Sequence, residues 1–238
     1  MDNSYDDAVR ASAYAALEFA GTYYLAYRDL PALIAEHVRG TRALDFGCGS
    51  GRSTRFLKRL GFQAVGVDIA EDMLRIARER DPGGDYRLID AGGLGGLPQG
   101  AWDLVLCAFP LDNIPREKKP ALVAGLAALL APGGVLINLV SSPEIYVHEW
   151  VSFSTKDYPE NRRARSGDRV RIVITDIADR RPVEDVVCSD EEYRSLYARS
   201  GLALVTTRRP LGRAEEPFSW VNETRIAPWV IYVLRRAS

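Results

Sequence analysis

Between residues 42 and 142 the chain repeats one pattern: a short run rich in Val, Ile and Leu, then a stretch with helical periodicity. "RALDF" (42–46), "QAVGVD" (63–68), "YRLID" (86–90), "WDLVLCAF" (102–109) and "GVLINLVSS" (134–142) read as strands. "GRSTRFLKRLG", closed by Gly61, "EDMLRIARER" and "REKKPALVAGLAALLAPGG" read as the helices between them. Short apolar strands separated by helices belong to a parallel sheet covered on both faces. Right-handed crossovers then make an α/β, doubly wound sheet.

The flanks are different. Residues 4–20 have helical character, with Gly21 as a stop, and a second helix starts in "RDLPALIAEHV" with Asp29 or Leu30 as cap and Pro31 in its first turn. Residues 141–189 break the alternation: "DRVRIVITD" and "RPVEDVVC" predict an antiparallel hairpin joined by "IADRR". That insertion is expected to lie as a lid over the carboxyl edge of the sheet, where open α/β folds bind ligands. A helix, "DEEYRSLYARSG", and two strands, "LALVTTRRP" and "WVIYVLRR", complete the chain. The expected organisation is one domain, 1–238, with a helical cap (1–40), a core (41–140), the lid (141–189) and a C-terminal part of the sheet (190–238).

Composition excludes several classes. A formal net charge of −1 over 238 residues gives no extended basic face for nucleic acid. Only four lysines stand beside many arginines and alanines, the coding bias of a GC-rich bacterial genome. "MDNSYDDAVRASAY" is acidic and lacks the apolar centre of a signal segment, and no apolar run approaches a membrane span. Cys48, Cys107 and Cys188 are far apart and form no C-x-x-C pair, so neither a disulfide framework nor a metal site is expected. A cytoplasmic protein with reduced thiols, a monomer or homodimer, is the expectation.

The most informative stretch is "ALDFGCGSGRST" (43–54). Gly47, Gly49 and Gly51 let the backbone turn and approach a ligand closely. In a dinucleotide fold a pyrophosphate sits at such a turn, on the helix N-terminus, and Asp45 would repel it. S-adenosylmethionine presents an ammonium and a sulfonium there instead, so Asp45 selects for it and against a diphosphate. Asp68, ending the second strand, suits the ribose of either ligand.

With "AVGVDIAEDML" (64–74), "RLIDAGG" (87–93) and "WDLVLCAFPLDNI" (102–114), this stretch resembles the ordered motifs of class I S-adenosylmethionine-dependent methyltransferases. The resemblance covers roughly residues 43–140. It implies a Rossmann-like, seven-stranded sheet with an antiparallel last strand, and S-adenosyl-L-methionine as cofactor with S-adenosyl-L-homocysteine as product. It also implies contacts. Asp45, Gly47, Cys48, Gly49 and Gly51 would hold the methionine moiety, Asp68 the ribose, and Ile69 would pack on adenine with Met73 nearby. Asp90 and the Ala91 backbone would read the adenine edge, and Cys107 and Ala108 would line the floor beside the sulfonium.

The acceptor side is less defined. Phe109-Pro110-Leu111-Asp112-Asn113 departs from the Asn/Asp-Pro-Pro-aromatic run of enzymes that methylate adenine or glutamine nitrogen, which points to a small-molecule acceptor with an O or N nucleophile. Asp112 and Asn113 are candidates at the mouth of the site, or a cap for the following helix. His148 follows the fifth strand and is a candidate general base. Trp150 and Phe153 would form an apolar wall, and His37 is expected on the surface. Tyr24 and Arg28, one helical turn apart, could face the cofactor. Arg162, Arg163, Arg165, Arg169 and Arg171 form a solvated face or, pointing inward, would select an acidic acceptor. Two alternatives remain: a nicotinamide-dependent oxidoreductase, for which no Tyr-x-x-x-Lys pair is present, and a non-catalytic S-adenosylmethionine-binding protein.

Overall fold

A computed structural model describes residues 8–17, 19–90 and 93–237. Residues 4–7 of the expected first helix, and Ala91, lie outside the described residues. Three helices come first, α1 (Ala8–Ala15), α2 (Thr22–Arg28) and α3 (Leu30–His37). The core alternates as the sequence pattern predicts: β1 (Arg42–Phe46), α4 (Arg52–Arg59), β2 (Gln63–Asp68), α5 (Glu71–Arg80), β3 (Asp85–Leu88) and β4 (Trp102–Ala108). A short α6 (Pro110–Asn113) leads through a 3₁₀ turn to α7 (Lys119–Leu129) and β5 (Leu130–Ser141). Then come β6 (Phe153–Ser154), β7 (Arg169–Ile174), β8 (Val183–Val186), α8 (Asp190–Arg199), β9 (Leu202–Arg208) and β10 (Trp229–Arg236).

Seven strands form one sheet in the order β3-β2-β1-β4-β5-β10-β9. The first five are parallel, and β10 runs antiparallel between β5 and β9. Strand order reverses between β1 and β4, and at such a switch point the strand ends diverge and leave a crevice. Both faces of the central strands are covered. Leu104, Leu106, Ile137 and Leu139 turn toward α2 and α3, while Val105, Cys107, Leu136 and Val140 turn toward α7 and α8. Period-2 side-chain alternation thus feeds two separate apolar layers.

The inserted segment is a three-stranded antiparallel sheet, β6-β7-β8, one short strand more than the predicted hairpin. β5 starts four residues earlier than the sequence suggests, taking in Pro132-Gly133-Gly134, and its register against β4 shifts between Trp102 and Leu104 to absorb them. Asp29 is the N-cap of α3 by position, but its carboxylate accepts from Arg28 and makes no cap bond.

The insertion is sewn to the cap by a buried polar knot. Thr22 N donates to Ser152 Oγ (2.9 Å), Ser152 N donates to Thr22 Oγ1 (3.1 Å), and Thr22 Oγ1 donates to Glu223 Oε1 (2.7 Å). The fully buried Glu223 also accepts from the backbone N–H groups of Val151, Val221 and Asn222. Trp229 Nε1 closes the knot on Thr22 O at 2.7 Å.

Candidate functional site

At the switch point the backbone leaves β1 through the glycine turn. Gly47 N and Cys48 N both donate to Val67 O of β2, at 2.8 and 3.0 Å, which fixes where the turn begins. Gly47, Gly49 and Gly51 have φ of 70°, 52° and 78°, a region that costs an L-residue about 1–2 kcal/mol. Space is a second constraint at Gly47, where a Cβ would lie 2.2 Å from Pro110 Cγ.

Two carboxylates flank this turn. Asp45 is fully buried; its Oδ2 accepts from Ser53 Oγ (2.7 Å) and Thr54 Oγ1 (2.6 Å) in the first turn of α4. Its Oδ1 is buried with no hydrogen-bond partner among the described residues. Burial pushes its carboxyl up to about 6, with the two hydroxyls pulling the other way. Asp68 accepts from Gly49 N (2.7 Å) and Ala70 N (2.9 Å); burial raises it and these backbone donors oppose the rise. One lone pair on each Asp68 oxygen is left for a further donor.

Around the turn, Ile69 is exposed and Met73 is buried with Ala15, Ala70 and Ile76. Asp90 is exposed, and its carbonyl accepts from Gly93 N at 2.8 Å. The Cys48 side chain packs away from the turn among Leu74, Ala77 and Tyr86. Cys107 is fully buried at the end of β4, beside the half-buried Ala108. Burial raises all three thiols, with Cys188 pushed up to about 12, so none is an activated nucleophile.

The helix face that meets the turn differs from the expected one. Tyr24 packs on Phe218 (5.1 Å between ring centroids), and Arg28 pairs with Asp29 (2.8 Å) and Glu216 (2.7 Å) near the C-terminal loop. Tyr23 and Tyr27 point to the turn instead. The Arg52 guanidinium, directly after Gly51, lies 4.7 Å from the Tyr23 ring centre and 5.3 Å from that of Tyr27. The reason is burial: the apolar side of α2 carries Tyr23, Leu25, Ala26 and Tyr27, leaving Tyr24 and Arg28 on its rim.

At the β4 exit Phe109 has φ 76°, rare for a bulky side chain and held by a bond from its N–H to Leu139 O at 2.8 Å. Its ring packs 4.9 Å from Trp229 and 5.9 Å from Tyr23, and Phe153 joins the same cluster. Neither Asp112 nor Asn113 caps a helix; Asn113 is exposed at the end of α6, while Asp112 is turned inward. Asp112 is buried, accepting from Ser141 N (2.9 Å) and from Tyr193 Oη (3.4 Å); Asn113 donates to Asp185 Oδ1 of β8. Asp185 also accepts from Tyr146 Oη at 3.0 Å. Burial pushes Asp112 up to about 6 and Asp185 up to about 7; the charge of Asp112 adds to the rise at Asp185, and the Lys119 ammonium opposes both.

His148 Nε2 lies 3.1 Å from Glu144 Oε2 on a partly exposed turn. Trp150 is buried with its Nε1 donating to Ile145 O (2.9 Å). The five arginines do not turn inward: all are exposed, Arg169 with Glu184 and Arg171 with Glu160. His37 is only 13% exposed rather than a surface side chain. Sequence reading missed Tyr27, Asp185, Thr22, Ser152 and Glu223, which meet through contacts that span up to 201 positions; Arg52 alone carried a local signal, its place beside Gly51.

Residues 43–134 match the family described as "Methyltransferase domain". A ubiquinone biosynthesis O-methyltransferase of Xanthomonas campestris pv. campestris is 35% identical over 101 residues, 41% of this chain and 41% of that protein. The chain therefore spans less than half the length of this curated relative. An S-adenosylmethionine-dependent methyltransferase from Mesorhizobium loti superposes with TM-score 0.61 at 20% identity, covering 89% of this chain and 98% of that one. A structure described as a DhpI-SAM-HEP complex superposes with TM-score 0.64 at 20% identity, covering 98% and 94%. The chain has the class I S-adenosylmethionine-dependent methyltransferase fold.

S-adenosylmethionine is the cofactor of this class, and the turn fits it. The unpartnered Asp45 Oδ1 can accept from an ammonium, Asp68 from ribose hydroxyls, and Ile69 offers an exposed apolar face. Among the described residues no helix is long and apolar enough to cross a membrane.

Proposed function

We propose that this chain transfers a methyl group from S-adenosylmethionine to an oxygen or nitrogen atom of a small-molecule acceptor. The observation that carries the reading is the pair Asp45 and Asp68, a buried and a half-buried acid on either side of a glycine turn, the first with an oxygen that none of the described residues satisfies. Such a turn is unfavourable to a diphosphate and favourable to a cation. The cofactor supplies an electrophilic methyl carbon. The chain's part is to align the acceptor and keep water out, and orientation of this kind is worth up to about 7–11 kcal/mol.

A small acceptor is supported by the β4 exit. Phe109, Tyr23, Phe153 and Trp229 pack ring on ring there, and β8 meets the exit through the Asn113–Asp185 bond. The curated relative named for O-methylation supports oxygen as the acceptor atom. His148, steadied by Glu144, is the candidate to take a proton from an acceptor hydroxyl. Asp112 and Asn113 position the β4 exit against β5 and β8, acting from behind the acceptor.

Calorimetric titration with S-adenosylhomocysteine and with NAD tests the cofactor half. Binding of the first without the second is expected; NAD binding alone would replace this reading with the oxidoreductase. Turnover against a panel of phenols, alcohols and amines tests the transfer, and binding without any turnover would favour the non-catalytic protein. In that assay His148→Ala is expected to lower kcat more than KM; unchanged kcat would remove the base.

A further inference from the structure

On the sheet face covered by α7 and α8, away from the glycine turn, lies a cavity of about 350 Å³. Arg116, Lys119 and Arg199 line it together with Glu117, Glu192 and Cys188. Lys119 is only 3% exposed, and the carboxylates that balance its charge, Asp112 and Asp185, act on it without an ion-pair contact. Its one close contact among the described residues is the ring of Tyr193, 5.3 Å from Nζ, with neither a hydrogen bond nor an ion pair. Arg199 lacks a carboxylate as well; its Nε donates to Ser195 O at 3.3 Å. Arg116 does have one, Glu192 Oε1, while Glu192 Oε2 is buried with no partner.

Two groups that lack a hydrogen-bond partner among the described residues therefore share one cavity: the Lys119 ammonium and the buried Glu192 Oε2. A third element is the N-terminus of α7, which begins at Lys119 and places the positive end of an 11-residue helix dipole at the wall. Leaving either group unsatisfied is costly, and a fully deprotonated anion would satisfy the lysine at the expense of the glutamate. An oxyanion that keeps a proton meets both. Its charged oxygen accepts from Lys119, and its O–H donates to Glu192 Oε2.

We propose that this cavity is a second binding site, separate from the methyl-transfer site, for a monohydrogen or dihydrogen phosphate group. Lys119 and Arg199 hold its anionic oxygens, and Glu192 selects for its proton. The site is not isolated from the β4 exit, since the Tyr193 ring under Lys119 carries the hydroxyl that donates to Asp112.

The test is calorimetric titration of the full chain with inorganic phosphate and, separately, with sulfate at matched ionic strength. Sulfate has the same shape and no proton to give at neutral pH. Saturable phosphate binding, at least about tenfold tighter than sulfate binding, is expected. Lys119→Met should weaken phosphate binding by about tenfold or more, and Glu192→Gln should narrow the gap between the two anions. Circular dichroism establishes that each variant is folded, and Arg199→Ala, on the rim, serves if Lys119→Met is not. No saturable phosphate binding, equal binding of sulfate, or full phosphate affinity in a folded variant lacking its cation would each overturn the assignment.

Discussion

Gly47 and Pro110 meet at the switch point so closely that one added methyl group on Gly47 would stand 2.2 Å from Pro110 Cγ. The glycine turn after β1 and the exit of β4 are therefore fitted to each other. Neither turn can shift without moving the other. Gly47→Ala combines this clash with a positive φ and is expected to destabilise the fold by about 1–3 kcal/mol. Chemical denaturation measures it, and stability equal to the parent would show that the two turns are free to separate.

Asp68→Ala removes the acceptor offered to ribose. S-adenosylhomocysteine affinity should fall by about 1.5–3 kcal/mol, the range for hydrogen bonds to a charged group. Calorimetry reads it directly. Unchanged affinity would take Asp68 out of the cofactor contacts.

Asp45 titrates at about 6 in the ligand-free fold because burial disfavours its charge. An ammonium placed against Oδ1 favours the charged form and lowers that value. Cofactor affinity should therefore weaken as pH falls through 6, and binding there should release a proton. Calorimetry in buffers of different ionisation enthalpy counts the proton. In Asp45→Asn the pH dependence should vanish along with much of the affinity.

Asp112 and Asp185 are raised to about 6 and about 7, above the usual carboxylate value near 4. The unfolded chain releases these protons first, so the native state binds more protons across the interval between. Stability is greatest below that interval and declines as pH rises through it, by up to about 1.4 kcal/mol per pH unit for each proton. Urea denaturation over this range should show the decline. Asp185→Asn should flatten it, and an equal slope in the variant would place the titration elsewhere.

Arg28 pairs with Asp29 at the end of α2 and with Glu216 of the C-terminal loop, and among the described residues none of its hydrogen bonds reaches the glycine turn. Arg28→Ala is expected to lower stability by about 1–3 kcal/mol while leaving S-adenosylhomocysteine affinity unaltered. A selective loss of affinity would return Arg28 to the cofactor site.

What was legible in the sequence follows contact range. β1, β2, α5 and β10 coincide with the runs "RALDF", "QAVGVD", "EDMLRIARER" and "WVIYVLRR", because each is set by its own periodicity and end signals. The glycine turn was legible for the same reason, with Asp45, Ser53 and Thr54 falling within nine positions. The face of α2 was not. Tyr23, Tyr24 and Tyr27 are chemically alike, and only the approach of Arg52 and of the C-terminal loop decides which of them turns inward. Asp112 was misplaced for a related reason. A carboxylate after a strand normally reads as surface or cap, and its partners at Ser141 and Tyr193 lie 29 and 81 positions away.

Among the described residues Glu223 pairs with no cation; its charge is met by a threonine hydroxyl and three backbone N–H groups, from segments as far apart as positions 22, 151 and 221. Replace Thr22 alone, and a buried carboxylate loses part of its solvation. Lineages descended from such a chain can drift at one of these positions only by revising the others. Residues 22, 151–152 and 221–223 are thereby tied into a single unit of inheritance.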